Sequence, residues 1–362
     1  MSLEFTAKVG QIPAYPVAEG YAHAPAGGDQ LLLLASNETP WPPHPAVIEA
    51  VERATAGLNR YPDPASSVLR RRLADRHELP IERIAIGNGS CDILLAAATA
   101  LLEPGAEMVY AWPSFSMYPH LAAMTGARAV TVPLDSKARH DLAALARGVS
   151  AATRMVIICN PNNPTATALE VDDIDFFAAE LPAHICLIVD EAYVEFSTLA
   201  DPDASLALLA RHSNLVLLRT FSKVYGLCGL RIGYALCSSE FREAIDRVRQ
   251  PFSVNALAQV AAAEALGHQD EVARRVERTV VERLHVQQGL AERGLETSQS
   301  EANFSWVSIG ERDERSLLDA LARRGVIVRA GGALGAEGHF RVTYGTRPEN
   351  DRFLAALDEA LA

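Results

Sequence analysis

The chain has 362 residues, 49% hydrophobic and 22% charged, the make-up of an ordinary soluble globule with length for one large core and a smaller lobe. Its 33 basic residues against 45 acidic ones leave a net charge of −12, which repels a polyanion and argues against nucleic acid as a partner. No segment approaches the roughly 18 uninterrupted apolar residues of a membrane helix. The five cysteines lack C-x-x-C spacing, which argues against a disulfide framework and a zinc site.

The opening run Met1-Ser2-Leu3-Glu4-Phe5 has no basic stretch followed by an apolar one, so a cytoplasmic location is expected. Residues 1–35, rich in Pro, Gly and Ala, read as an arm with little structure of its own. Strands are expected over 83–87, 107–111, 129–132, 155–159, 186–189, 215–218 and 232–236, with helices such as 91–102 and 115–125 between them. Most of the strand runs are continuously apolar, as strands covered on both faces are. The expected fold is α/β: a large domain over 36–245 with a mostly parallel seven-stranded sheet, helices on both sides. After residue 240 a helical stretch over 255–293 gives way to strand-like pieces around 303–309, 326–329 and 340–343. This is the expected smaller α+β domain, 246–362, with the N-terminal segment contributing to it.

Three polar runs directly follow expected strands: Asn160-Pro161-Asn162-Asn163-Pro164-Thr165, Asp190-Glu191-Ala192-Tyr193 and Thr220-Phe221-Ser222-Lys223. The carboxyl edge of an open α/β sheet is where ligands bind, so the runs converge on one crevice. A lysine beside hydroxyls, with Arg231 eight residues on, can hold an aldehyde cofactor as a Schiff base while its neighbours bind a phosphate. That combination reads as a pyridoxal phosphate site. Asp190, after an apolar strand, is costly to bury without a cation, and a protonated pyridine nitrogen is such a cation. Asn160 and Tyr193 are suited to hydrogen-bond the ring's phenolic oxygen.

Gly87-Asn88-Gly89-Ser90-Cys91-Asp92 joins a strand to a helix, whose first backbone amides are ready donors to phosphate. It is not the dinucleotide fingerprint, and no G-x-x-x-x-G-K-[ST] is present, which disfavours nicotinamide and nucleoside-triphosphate enzymes. Neither a metal motif nor G-x-S-x-G occurs. Phe115 is placed to stack on the pyridine ring, and Arg341 in Phe340-Arg341-Val342-Thr343 to clamp a carboxylate bidentately.

These runs, with Ala35-Ser36-Asn37-Glu38-Thr39, Asn59-Arg60-Tyr61-Pro62-Asp63 and Ala302-Asn303-Phe304, give the chain a resemblance to fold type I aminotransferases of the histidinol-phosphate aminotransferase family. The resemblance implies that Lys223 is the Schiff-base lysine and proton shuttle, Asp190 the pyridinium partner, and Asn160 and Tyr193 the phenolate partners. It assigns Ser90, Cys91, Ser222 and Arg231 to the cofactor phosphate, with Thr220 also among the cofactor-binding residues. It implies a homodimer with shared active sites in which Tyr61 reaches the partner's phosphate. Arg341, Arg329, Tyr15 and Asn37 fall on the substrate side, Tyr15 in an arm closing over it. Two departures stand out: Ser90-Cys91-Asp92 where the family commonly has an acidic pair, and Ala330-Gly331-Gly332 after Arg329 instead of a proline.

The implied reaction passes an amino group from histidinol phosphate, or from an aromatic amino acid such as phenylalanine, to a 2-oxo acid, 2-oxoglutarate first among them. The runs Leu34 to Thr39 and Leu218 to Lys223 lie somewhat nearer the aromatic branch. Decarboxylation of a phosphorylated amino acid and a non-catalytic cofactor sensor are the minor alternatives. The sensor would carry a basic DNA-binding region, for which the N-terminal sequence gives no sign.

Overall fold

The computed structural model describes residues 3–15 and 31–362. Of the expected arm over 1–35, residues 1–2 and 16–30 lie outside the described residues. In chain order, β1 (Leu32–Leu33) precedes β2 (Ile84–Gly87), β3 (Glu107–Trp112), β4 (Arg128–Pro133), β5 (Thr153–Cys159), β6 (Cys186–Asp190), β7 (Leu215–Thr220) and β8 (Gly233–Leu236). All seven strands expected in the large domain are present as β2 to β8, in one sheet of order β2-β8-β7-β6-β5-β3-β4. Only β8 runs antiparallel to its neighbours.

The apolar runs are continuous because alternate residues serve two cores. Val156 and Ile158 of β5, Leu187 and Val189 of β6, and Leu215 and Leu217 of β7 pack into one cluster. Met155, Ile157, Ile188, Val216 and Leu218 pack into the other. The first face is covered by α2 (Ser67–His77), α5 (Leu142–Gly148) and α6 (Val171–Glu180), which contribute Leu73, Leu145 and Phe177. The opposite face receives α3 (Ser90–Leu101), α4 (Met117–Thr125) and α8 (Ser239–Val248), through Leu94, Leu121 and Ile245. Period-2 projection therefore buries both faces of each central strand.

The helical stretch expected over 255–293 is two helices, α9 (Ala256–Ala265) and α10 (Gln269–Glu292), separated at Gly267-His268. Helix α9 packs on α1 (Pro45–Ala54), and its Ala258, Ala261 and Ala262 belong to the first core of the large sheet. That core thus continues past residue 245, where the sequence suggested a boundary, through α9 to Leu266 and on to Ala302 and Phe304. A run of alanines marks a close-packed face without indicating which body it packs against.

The smaller lobe has its own core, which includes Leu32 and Leu34 from the N-terminal segment and Val286, Phe340 and Phe353. Its four-stranded sheet joins β9 (Glu296–Thr297), β10 (Phe304–Ser308), β12 (Arg329–Ala330) and β13 (His339–Thr343) in the order β12-β13-β10-β9. The strand expected over 326–329 is divided: β11 (Val326–Ile327) pairs with β1, while β12 pairs with β13. Helices α11 (Glu314–Arg323) and α12 (Arg347–Leu361) complete the lobe. Among the described residues, no helix is long and apolar enough to cross a membrane.

Candidate active site

Strands β2, β3, β5, β6 and β7 end on one edge of the large sheet, and β8 begins there, since Gly87 and Thr220 both stand opposite Gly233. A cavity of about 410 Å³ opens along this edge and extends to the small lobe. Its lining brings together Ser90, Cys91, Phe115, Asp190, Tyr193, Thr220, Ser222, Lys223 and Arg231 with Tyr15, Asn37, Arg329 and Arg341. Thirteen of the fifteen sequence-derived candidates thus line one cavity; the other two, Asn160 and Tyr61, lie elsewhere.

Lys223 lies three residues beyond β7, with Nζ 3.1 Å from the Ser36 carbonyl, to which it donates, and 5.5 Å from the centre of the Tyr193 ring. Desolvation in the crevice and, second, the Arg341 guanidinium lower its amine to about 8. A neutral amine, the form that attacks an aldehyde, is therefore accessible near neutral pH. Asp190 closes β6 and is buried; Tyr118 donates to its Oδ2 at 2.9 Å and the Ala192 amide to Oδ1 at 3.3 Å. Burial pushes its carboxyl up to about 6, with the Tyr118 hydrogen bond acting against that rise. A ring nitrogen cation is the kind of partner that would hold it ionised.

The opposite end of the crevice is shaped for an anion. Ser90 and Cys91 form the first turn of α3, and Arg231, at φ 57°, sends Nη1 to Ser222 Oγ at 3.3 Å and to the Cys228 carbonyl at 2.9 Å. Thr220 Oγ1 accepts from the Ser222 amide at 3.1 Å, which fixes the turn between them. A Cβ on Gly89 would lie 2.4 Å from Arg231 Nη2, and one on Gly233 2.4 Å from the Ser90 amide nitrogen. Only glycines let the guanidinium and the helix start approach this closely. Burial, with Asp190 second, pushes the Cys91 thiol up to about 11, so it adds no negative charge where a phosphate would sit. Lysine, buried carboxylate and glycine-lined anion cradle together fit pyridoxal phosphate.

On the donor side, Arg341 of β13 stands opposite Arg329 of β12, and both are buried. Arg341 donates to Asn163 Oδ1 and to the Ala35 carbonyl, the latter at 2.6 Å, and its guanidinium lies 5.3 Å from the Phe304 ring centre. Asn37, at φ 55°, donates from Nδ2 to the Tyr193 hydroxyl at 3.0 Å and receives Asn303 Nδ2 on its carbonyl. Tyr15 is about half exposed, its ring centre 5.8 Å from that of His120. Phe115, expected to open the helix over 115–125, lies instead in the turn two residues before α4 begins at Met117, edge-on to Tyr118.

Asn160 is a correction. Its side chain turns away from the crevice and holds Leu169 from both sides, accepting from the amide at 2.7 Å and donating to the carbonyl at 3.2 Å. Asn163 takes the expected place, lining the crevice with Nδ2 3.4 Å from the Tyr193 hydroxyl. Three asparagines share the run, and the path of the turn decides which one faces the ligand. Tyr61 lies outside its own chain's crevice, 83% exposed and stacked on Phe252 at 4.7 Å. Sequence reasoning also missed Ser36, Glu38, Tyr118, Cys228 and Leu334. Ser36 and Glu38 belong to a run singled out without a role, whereas a helical tyrosine and a loop leucine carry no signal that separates them from core.

The family described as aminotransferase class I and II matches residues 29–357. An aromatic amino acid aminotransferase of Corynebacterium jeikeium is 44% identical over 336 residues, 91% of this chain and 88% of that protein. A histidinol-phosphate aminotransferase of Moorella thermoacetica is 39% identical over 352 residues, 97% of this chain and 90% of that one. Among solved structures, histidinol-phosphate aminotransferase from Sinorhizobium meliloti in complex with pyridoxal-5'-phosphate superimposes with a TM-score of 0.90 at 28% identity, covering 100% of this chain and 98% of that chain. With the strand-edge lysine, the buried aspartate and the anion cradle in one crevice, this similarity along almost the whole length places the protein: the chain belongs to the class I and II aminotransferases, enzymes that work through pyridoxal phosphate.

Proposed function

We propose that the protein moves the amino group of an aromatic amino acid to a 2-oxo acid, with 2-oxoglutarate as acceptor and Lys223 as the proton carrier. The observation that carries this reading is the lining of the crevice, where the buried Arg341 occurs together with the apolar Leu334 and the Tyr15 ring. A guanidinium recognises a carboxylate, and the apolar surfaces suit a flat ring. The relatives named above include one of each donor type, and the second buried guanidinium, Arg329, favours histidinol phosphate as the second reading.

Bound in the crevice, pyridoxal phosphate supplies an electron sink for the negative charge that develops at the donor's α-carbon. Asp190 holds a proton on the ring nitrogen by its charge, and Tyr118 holds Asp190. Tyr193, which receives amide protons from Asn37 and Asn163, keeps its own hydroxyl proton for the crevice. Lys223 Nζ would take the proton from the donor's α-carbon and deliver it to the cofactor's carbon, as an amine near 8 can do in both directions. Arg341, fixed by Asn163 and Ala35, orients the carboxylate.

The exposed Tyr61–Phe252 stack supports a homodimer in which Tyr61 completes the partner's phosphate site, and a cytoplasmic location belongs to the same reading. The test is rapid mixing of cofactor-loaded protein with phenylalanine and, separately, with histidinol phosphate, following loss of the visible band of the bound cofactor. Faster conversion by phenylalanine is expected. Faster conversion by histidinol phosphate would move the protein to the second reading, and no response to either would overturn both.

A further inference from the structure

Leu334 is 4% exposed yet belongs to none of the three apolar cores; it lines the crevice instead. It ends a short 3-10 turn, Gly332–Leu334, in the loop between β12 and β13, the segment where this chain has Ala330-Gly331-Gly332. The loop is tied to itself: the Leu334 amide donates to the Gly331 carbonyl at 2.8 Å and the Ala336 amide to the same oxygen at 2.9 Å. It is also tied to the lobe, because the Glu314 carboxylate, at the start of α11, accepts from the Gly332 amide at 3.0 Å and from the Gly338 amide at 2.9 Å.

Glycines make this path obligatory. A Cβ on Gly331 would lie 2.4 Å from the Ala336 carbonyl oxygen and 2.5 Å from that of His339. Gly335, at φ 95°, rests on the Trp112 indole at the end of β3, where a Cβ would come within 2.5 Å of Nε1. The loop thus spans from the small lobe to the large sheet and holds one apolar side chain against the space beside Arg341. A leucine buried in no core, on a loop fixed at both ends, is placed for what enters the crevice rather than for the fold.

We propose that Leu334 is a specificity-determining residue that selects an apolar, flat donor side chain; this rests on the reading that the donor is an aromatic amino acid. Leu334 packs on the ring of the donor, and an anionic side chain there would lose its hydration without gaining a partner from leucine. On that reading the contact acts on the side chain alone, since the amino group would react at the cofactor beside Lys223 and the carboxylate would sit at Arg341, both of which line the same cavity.

The test compares phenylalanine with alanine, which keeps the amino acid head and lacks the ring, as donors for cofactor-loaded wild type, Leu334→Ala and Leu334→Met. Wild type is expected to favour phenylalanine, and Leu334→Ala to lower the phenylalanine-to-alanine ratio of kcat/KM by roughly 10-fold or more. Leu334→Met, close in volume, is expected to keep most of the ratio. A wild type that does not favour phenylalanine overturns the aromatic reading itself. A wild type that does, with a ratio unchanged in Leu334→Ala, overturns only the role of Leu334. Equal loss for both donors, with the cofactor band retained, would mean the leucine merely holds the loop, and would overturn it too.

Discussion

At the end of the crevice that runs from Asp190 past Lys223 to Arg231, the walls are set on the large sheet: Asp190 ends β6, Thr220 ends β7 with Ser222 and Lys223 just beyond it, and Ser90 and Cys91 open α3. At the end that faces Arg341, the walls are an N-terminal tyrosine, the run Ala35 to Glu38, the edge of the small-lobe sheet and a glycine loop. The first end is set by hydrogen-bonded register and by cores on both faces; the second depends on how separate segments meet. Chemistry common to many donors belongs on the rigid end, and selection among donors on the composite end.

The contrast is sharpest for Lys223→Ala. Turnover should fall at least about 10⁴-fold for every donor, because nucleophile and proton carrier go together. The cofactor should stay bound, held by Ser90, Ser222, Arg231 and Asp190, as its absorbance after dialysis would report. Residual turnover near the wild-type level would remove Lys223 from the mechanism.

Asp190→Ala comes next. Losing the charge that holds a proton on the ring nitrogen should cost about 10²- to 10³-fold in kcat for all donors alike. Tyr118→Phe should cost only about 10-fold, since the carboxylate remains but loses one hydrogen bond. A donor-dependent loss in Asp190→Ala would blur the division between the two ends.

The two ends are coupled in one respect, the influence of Arg341 on Lys223. The amine is lowered to about 8 by burial first and Arg341 second, and only its neutral form condenses with an aldehyde. Loading of cofactor onto the unloaded protein should therefore quicken by roughly tenfold per pH unit on the acid side of that value and level off above it. Arg341→Met removes a nearby cation, so the amine pKa rises and the same curve moves to higher pH, an effect of a few-fold at neutral pH. A loading rate independent of pH from about 6 to 9 would show that the amine is not the titrating group.

What could be read from the sequence follows the same division. The seven strands and the residues just beyond them were legible because a strand buried on both faces is a continuous apolar run, and the polar residue that ends it stands at the ligand edge. Tyr118 was not, since an aromatic in a helix looks the same whether it touches Asp190 or only core. Leu334 and the meeting of Arg329 with Arg341 depend on β12 pairing with β13 and on a loop path that local propensity does not specify. Nor did the alanines of α9 announce that they pack on α1 within the large core.

The finest distinction lies inside one run, between Asn160 and Asn163. Asn160 grips Leu169 by both backbone groups, and its own amide donates to the Asp190 carbonyl at 2.9 Å, a bond that substitution to alanine leaves in place. Asn160→Ala should therefore act on the turn: a loss of about 2 kcal/mol of stability from two hydrogen bonds, read as a lower unfolding midpoint, with turnover within about threefold of wild type. Asn163→Ala removes a partner of both Tyr193 and Arg341 and should cost about 10-fold in kcat/KM with a smaller effect on unfolding. If Asn160→Ala instead lost turnover on the scale of Asp190→Ala while unfolding normally, the asparagine facing the cofactor would be Asn160 after all, and the turn would have to follow a different path.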